Sequence, residues 1–225
     1  MRSIGWKPGA PGAPHSDRFP EASPRFAWSL LALYLGWWAL WAFNPRYPND
    51  WLLENVLVAI AVPLACYSHL RIRFSAYALG ALFLFLCLHA LGAHYTYAEV
   101  PYRQWLGLAM DGRNQFDRGV HFLFGLLVMP AYLELLSRRA ALQGIWRAIV
   151  PVAFLMAQSE LYEIIEWQAA LRFGGELGQA YLGTQGDIWD AQKDSAVAAI
   201  GAIVGLAAYK TAFRLCRRPD RPGPR

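Results

Sequence analysis

Charge is scarce in this chain: 16% of its 225 residues are Asp, Glu, Lys or Arg, against the roughly 25% usual in a soluble domain. That scarcity excludes an ordinary water-soluble fold of this size. Cysteine is sparse as well. Cys66, Cys87 and Cys216 form no C-x-x-C pair, so paired-thiol redox chemistry is unsupported and the three read as apolar fillers. P-loop, G-x-S-x-G and H-E-x-x-H patterns are also missing, which leaves nucleotide hydrolysis, serine acyl transfer and zincin chemistry without support.

Hydrophobic residues fill the gap. They make up 56% of the chain, with 10 Trp, 11 Tyr and 12 Phe. Several apolar runs approach or exceed the roughly 20 residues a helix needs to cross a hydrocarbon core about 30 Å thick. The expected fold is an all-α, polytopic transmembrane helical bundle of about six spans, at 26–43, 51–70, 74–94, 119–136, 145–171 and 191–214. The third span is the clearest and the fourth and sixth are expected to be the least hydrophobic, their charged starts facing protein or water. Before this 26–214 domain lies a Pro- and Gly-rich segment, 1–25, expected to be disordered; after it comes a basic tail, 215–225. Segment 1–25 lacks a small-residue cleavage site, so the first span is expected to act as a signal anchor.

Lys and Arg set the expected orientation, because short cytoplasmic loops retain positive charge. With these spans, 15 of the 21 fall on the face carrying both termini and six on the other: Arg46, Arg103, Arg113, Arg118, Arg172 and Lys193. Both termini are therefore expected in the cytoplasm. The net charge of +5 follows from this topology and implies no nucleic-acid partner.

Polar residues then gather at one depth. The outer ends of spans three to six hold His89 and His94, Asp117 and His121, Glu163 and Glu166, and finally Asp187, Asp190 and Asp194. Four helix ends converging in this way build a site in a helical bundle. Asp117 and His121 are four apart and share a face. Glu160, Glu163 and Glu166 span an arc too broad for every member to reach one point, and Glu160, one turn deeper, needs a partner. Asp187, Asp190 and Asp194 form a stripe if the sixth helix begins near Ile188. Extended downward, the stripe meets Ala198, Gly201, Gly205 and Ala208, whose GxxxG spacing marks close helix packing. Of the histidines in span three, five apart, at most one joins the site, and His94 is nearer the boundary.

Structural alternatives stand beside these readings. Asp187 and Asp117 could cap their helices. Glu163 and Glu166 could pair with Arg118, Arg172 or Lys193 in an ion network, and Glu134 with Arg138 one turn on. His121 could serve packing alone.

The order Asp117-Arg-x-x-His121-Phe, Tyr162-Glu-x-x-Glu166-Trp and Gly183-Thr-Gln-Gly-Asp187-x-Trp-Asp190-Ala-Gln-Lys-Asp194 resembles the YjdF-type family of bacterial inner-membrane proteins of unknown function. The likeness runs from Trp28 to Tyr209. More distantly, the arrangement is similar to VanZ-like membrane proteins, which share an Asp-Lys-x-x-His-Phe element and a Glu-x-x-Gln element. Here Arg118 replaces the Lys and Glu166 departs from the Gln, so this second resemblance implies a shared bundle core and shared polar positions, without an activity.

The functional expectation is a periplasm-facing site in which His121, Glu163, Asp190 and Asp194 bind a divalent cation, with Asp117, Glu166 and Asp187 behind them. Oxygen-rich ligation with one imidazole suits Mg, Mn, Zn or Fe(II). Catalytic candidates are His121, Glu163, Glu166 and Asp190, and the expected substrate is an envelope lipid or cell-wall precursor. Two alternatives remain open: a proton-coupled transporter using Glu160, Glu163 and Asp194, and a non-catalytic assembly protein whose acidic network holds helices together.

Overall fold

In a computed structural model, residues 19–173, 175, 178 and 182–216 are described. They form seven helices: α1 (Pro24–Ala42), α2 (Pro48–Ile72), α3 (Ala76–His94), the short α4 (Tyr102–Trp105), α5 (Phe116–Arg139), α6 (Trp146–Phe173) and α7 (Asp190–Cys216). The described residues hold no strand, only one isolated bridge between Glu21 and Ser75. By length and composition, α2, α3, α5, α6 and α7 can cross a membrane. The 19-residue α1 is a sixth long helix at the position of the first expected span, but its mean hydropathy is below that of these five and does not meet the same measure.

Local chemistry sets the boundaries. Ser23 accepts the Phe26 N–H at 3.2 Å, and Pro24 at the first turn has no N–H to leave unmet. Ser75 does the same for α3, accepting the Ala78 N–H at 3.1 Å. Arg73 ends α2 in a left-handed conformation, φ 52°.

The hydropathy ranking differs from expectation in one respect. Of the five spanning helices α3 is the most apolar, with mean hydropathy 1.9, but α6 is the least at 1.4, whereas α5 and α7 both reach 1.7. Burial distinguishes α5: 44% of its apolar window is inside the bundle, the largest share of the five. It packs against α3, α6 and α7.

The tightest seam joins α5 to α7, and glycine makes it. A Cβ on Gly201 would collide with the Phe122 carbonyl oxygen, and one on Gly125 with the Ala198 carbonyl oxygen. A Cβ on Gly205 would sit 2.7 Å from the Leu126 oxygen. The GxxxG pair thus marks a real backbone approach, helped by Gly125 on the opposing helix. On the stripe below Asp194, Ala198, Gly201 and Gly205 are buried; Ala208 is only half-buried, and Ala202 and Tyr209 take the interior positions.

Below the polar end the core is apolar: Val128, Met129, Leu155 and Ala202 cluster with Phe85 and Phe124. At the far end, Glu134 is buried. It does not pair with Arg138. Its oxygens accept the Ser75 N–H at 2.8 Å, the Ser75 hydroxyl at 2.5 Å and the Tyr209 hydroxyl at 3.3 Å. Arg138 turns to Glu21, 3.0 Å away, and to the Arg73 carbonyl. Neutral donors satisfy a buried carboxylate without desolvating a guanidinium.

Within the segment expected to be disordered, 19–23 is packed. Phe19 stacks on Tyr77 at 4.8 Å and meets Tyr209 and Phe213 edge-on, while the Ala22 N–H donates to the Phe74 carbonyl. Residues 1–18 and most of the basic tail lie outside the described residues.

Candidate functional site

The loop Gly183-Thr-Gln-Gly-Asp187 positions one wall of the site. Gly183, Gln185 and Gly186 have φ of 57°, 48° and 85°, conformations that Gly adopts freely. The resulting coil presents Gln185 to Asn114: its Oε1 accepts the Asn114 N–H at 2.8 Å and its amide donates back to the Asn114 carbonyl at 3.0 Å. The loop entering α5 is thereby clasped to the loop entering α7. Gly183 also leaves room for Asp117, whose Oδ2 would stand 3.7 Å from an added Cβ.

Asp187 belongs to this turn, because α7 begins at Asp190 and not at Ile188. Its Oδ1 accepts the Trp189 N–H at 3.1 Å. Its Oδ2 meets Lys193 at 2.6 Å and Arg118 at 2.5 Å. The hydrogen bonds from Lys193, Arg118 and the Trp189 N–H hold its carboxyl well below the usual carboxylate range.

Asp190 and Asp194 follow on one face of α7, buried at 4% and 2% exposure. Arg113 and Arg118 are their counter-charges. Arg113 Nη2 lies 2.6 and 2.7 Å from the two Asp190 oxygens, and Arg118 reaches Asp190 at 2.9 Å and Asp194 at 3.6 Å. Arg113 also donates to the Thr184 and Gly183 carbonyls, and Arg103 holds the Arg113 carbonyl at 2.6 Å. Asp117, in the first turn of α5, completes the group. Asp117, Asp190 and Asp194 each offer a carboxylate oxygen, and these three atoms lie within 4.8 Å of one another, all on buried residues.

His121 stands one turn below Asp117. Its Nε2 is 3.7 Å from Asp117 Oδ1 and 3.4 Å from Glu163 Oε1; its Nδ1 is 3.4 Å from the Ser159 hydroxyl. Its ring also meets Tyr162 edge-on at 5.8 Å. Glu163 and Glu166 are both buried on α6. Glu160 is not: it is exposed, and the Ser195 hydroxyl donates to it at 2.9 Å. The acidic arc therefore divides as its width demands, with two members inward and one outward.

The preference for His94 fails, and the side-chain bonds of both α3 histidines lead elsewhere than to the carboxylates of α5, α6 and α7. His89 is buried and hydrogen-bonded through Nδ1 to the Tyr97 hydroxyl. His94 turns to the Trp41 carbonyl at 2.9 Å, against α1 and away from the carboxylates. Nearness to the membrane boundary was the wrong criterion, because it ignores which face of the helix meets the bundle. Arg172, one of the proposed partners of Glu163 and Glu166, is exposed, and the ion pairs of the site run through α7.

Two residues escaped sequence reasoning. Asp50 and Glu54 of α2 are 0% and 2% exposed, and Tyr162 donates to both Glu54 oxygens at 3.0 Å. A signal was available. Glu54 is the only acidic residue in the run 51–70 and stands four residues from Asp50, so both share a face. The second helix thus brings carboxylates to the same end of the bundle.

Comparison with known proteins agrees with this membrane architecture. A family model described as "Predicted membrane protein (DUF2238)" matches residues 26–214. The chain is similar to "Inner membrane protein YjdF" of Escherichia coli (strain K12), 38% identical over 185 residues that cover 78% of this chain and 81% of the relative. No solved structure matches. With its helices, its motifs and a match over nearly the whole bundle, the chain belongs to the DUF2238 family of multi-pass membrane proteins, whose activity is unknown.

Proposed function

We propose that this is a bacterial inner-membrane protein, with both termini cytoplasmic, whose outer-end site binds a divalent cation and acts on a phosphoryl-bearing envelope lipid or cell-wall precursor. Asp117, Asp190 and Asp194 are the ligands, with His121 and Glu163 alongside. The observation that carries the reading is the convergence of three buried carboxylate oxygens within 4.8 Å. Hard divalent cations take oxygen ligands from such groups. Charge balance supports it too. Among the described residues Arg113, Arg118 and Lys193 form ion pairs with Asp187, Asp190 and Asp194, and the buried Glu54, Asp117, Glu163 and Glu166 form none with Lys or Arg.

The name of the YjdF relative supports the inner membrane. The Lys and Arg distribution supports the orientation, with six of the 21 on the site's face.

A bound cation would polarise a phosphoryl oxygen or activate water. The chain's own groups supply the rest. Arg113 and Arg118 present planar donors suited to a phosphate, and His121, between Asp117 and Glu163, is placed to move a proton. The transport alternative needs a polar path to the cytoplasm, and the layer beneath the site is built from Val128, Met129, Leu155 and Ala202. A purely structural network has one observation in its favour: Arg113 and Arg118 already meet both Asp190 oxygens.

Metal analysis by mass spectrometry of detergent-purified protein, after dialysis, decides between metal site and network. Stoichiometric metal in the wild type, lost in Asp117→Asn and Asp194→Asn with melting retained, is the expected result. Metal-free wild type, with variants that only melt earlier, overturns the proposal in favour of the network.

A further inference from the structure

At the end of the molecule opposite the acidic site, α1 and α2 part company. Both pack on α3 and hardly on one another. Near the acidic end they are bridged: Trp38 Nε1 donates to Asn55 Oδ1 at 2.6 Å, and the Trp38 and Trp51 rings lie 5.7 Å apart. Toward the other end they diverge and leave a groove of about 240 Å³ floored by α3. Pro63 lies within this stretch of α2, where it deprives the Ala59 carbonyl of its helical partner.

The groove wall is apolar along most of its length, through Leu31, Val62, Leu82 and Leu86. Two features break that pattern. Tyr34 lines it and is 3% exposed, yet its hydroxyl has no hydrogen-bond partner among the described residues. At the mouth stand Arg73 and His69. The His69 Nδ1 is already used by the Phe74 N–H at 3.1 Å, and Arg73, exposed, makes no ion pair among the described residues.

We infer that this groove binds one acyl chain of an anionic phospholipid, with the phosphate of its headgroup at Arg73. The groove runs between α1 and α2 over α3 and is walled by apolar side chains, a shape and chemistry that suit a chain. Charge complementarity selects the headgroup: Arg25, Arg71 and Arg73 all stand exposed at this end. The site is independent of any metal at the other end.

Photo-crosslinking with a diazirine-bearing acyl chain tests this, comparing phosphatidylglycerol with phosphatidylcholine in lipid nanodiscs and mapping labels by mass spectrometry. Labels on Leu31, Leu82 and Leu86 should favour phosphatidylglycerol about fivefold, the factor equivalent to the ~1 kcal/mol a basic residue contributes at an anionic surface. Arg73→Gln should abolish the preference, and Ala65→Phe should remove the labels. In the wild type, excess unlabelled phosphatidylglycerol should suppress labelling where phosphatidylcholine does not. Equal labelling by both lipids, or no competition in the wild type, would mean bulk-lipid contact only and overturn the inference.

Discussion

Tyr162 of α6 sets its hydroxyl 3.0 Å from both carboxylate oxygens of Glu54 on α2, the contact through which the second helix joins the acidic site. Interhelical hydrogen bonds in membranes average about 0.6 kcal/mol and reach ~1.7. Because the acceptor here is a buried carboxylate, Tyr162→Phe should cost about 1–2 kcal/mol in detergent unfolding. Adding Glu54→Gln should then cost less than it does in the wild type. Strict additivity of the two changes would mean that the contact carries no energy.

Gly201→Ala should destabilise the bundle by about 1–3 kcal/mol, since the new methyl has to displace the Phe122 backbone or be displaced by it. Gly36→Ala is the matched control. It lies in α1 with nothing within 4 Å of an added Cβ, and should stabilise slightly through the unfolded chain. Equal melting temperatures for the two variants would contradict the close seam.

Arg118→Met removes a partner from Asp187, Asp190 and Asp194 together. Stranding buried carboxylates costs about 3–5 kcal/mol. Asp190→Asn introduced on top should recover part of that loss, and the recovery is read as the coupling term of a double-mutant cycle. No recovery would place the role of Arg118 outside this network.

The depressed Asp187 carboxyl has a signed consequence. A group whose folded pKa is lowered stabilises the protein above its unfolded value, near 3.9, and loses that contribution as pH falls toward the folded value. The melting-temperature gap between wild type and Asp187→Asn should be widest near neutral pH and close below about pH 4. A gap that widens on acidification would reverse the assignment.

Much of this was readable from the chain, for definite reasons. Hydrophobic run length located the six long helices because a bilayer fixes the length of a span. The residues Asp117, His121, Glu163, Asp190 and Asp194 converge as spacing implied, since 3.6 residues per turn puts each on an inward face. What escaped depended on rotation about a helix axis. Without contacts, nothing in the sequence says which face of α3 meets the bundle, so position along the helix does not reveal that His94 turns to α1. Nor does i, i+4 spacing decide between partners: Glu134 is taken by Ser75, 59 residues away, and not by Arg138. Arg113 shows the same limit, as a loop residue becomes the main partner of Asp190 only because Gln185 draws two distant loops together.

The seat of Phe19 has a bearing on biosynthesis. Its aromatic neighbours come from α3 and α7, Tyr77 on one side and Tyr209 with Phe213 on the other. A ribosome delivers Phe19 and its α7 neighbours almost two hundred residues apart. The contacts that Phe19 makes with Tyr209 and Phe213 can therefore form only after α7 has been synthesised, so this small aromatic knot closes the last-made helix onto the segment leading into the first.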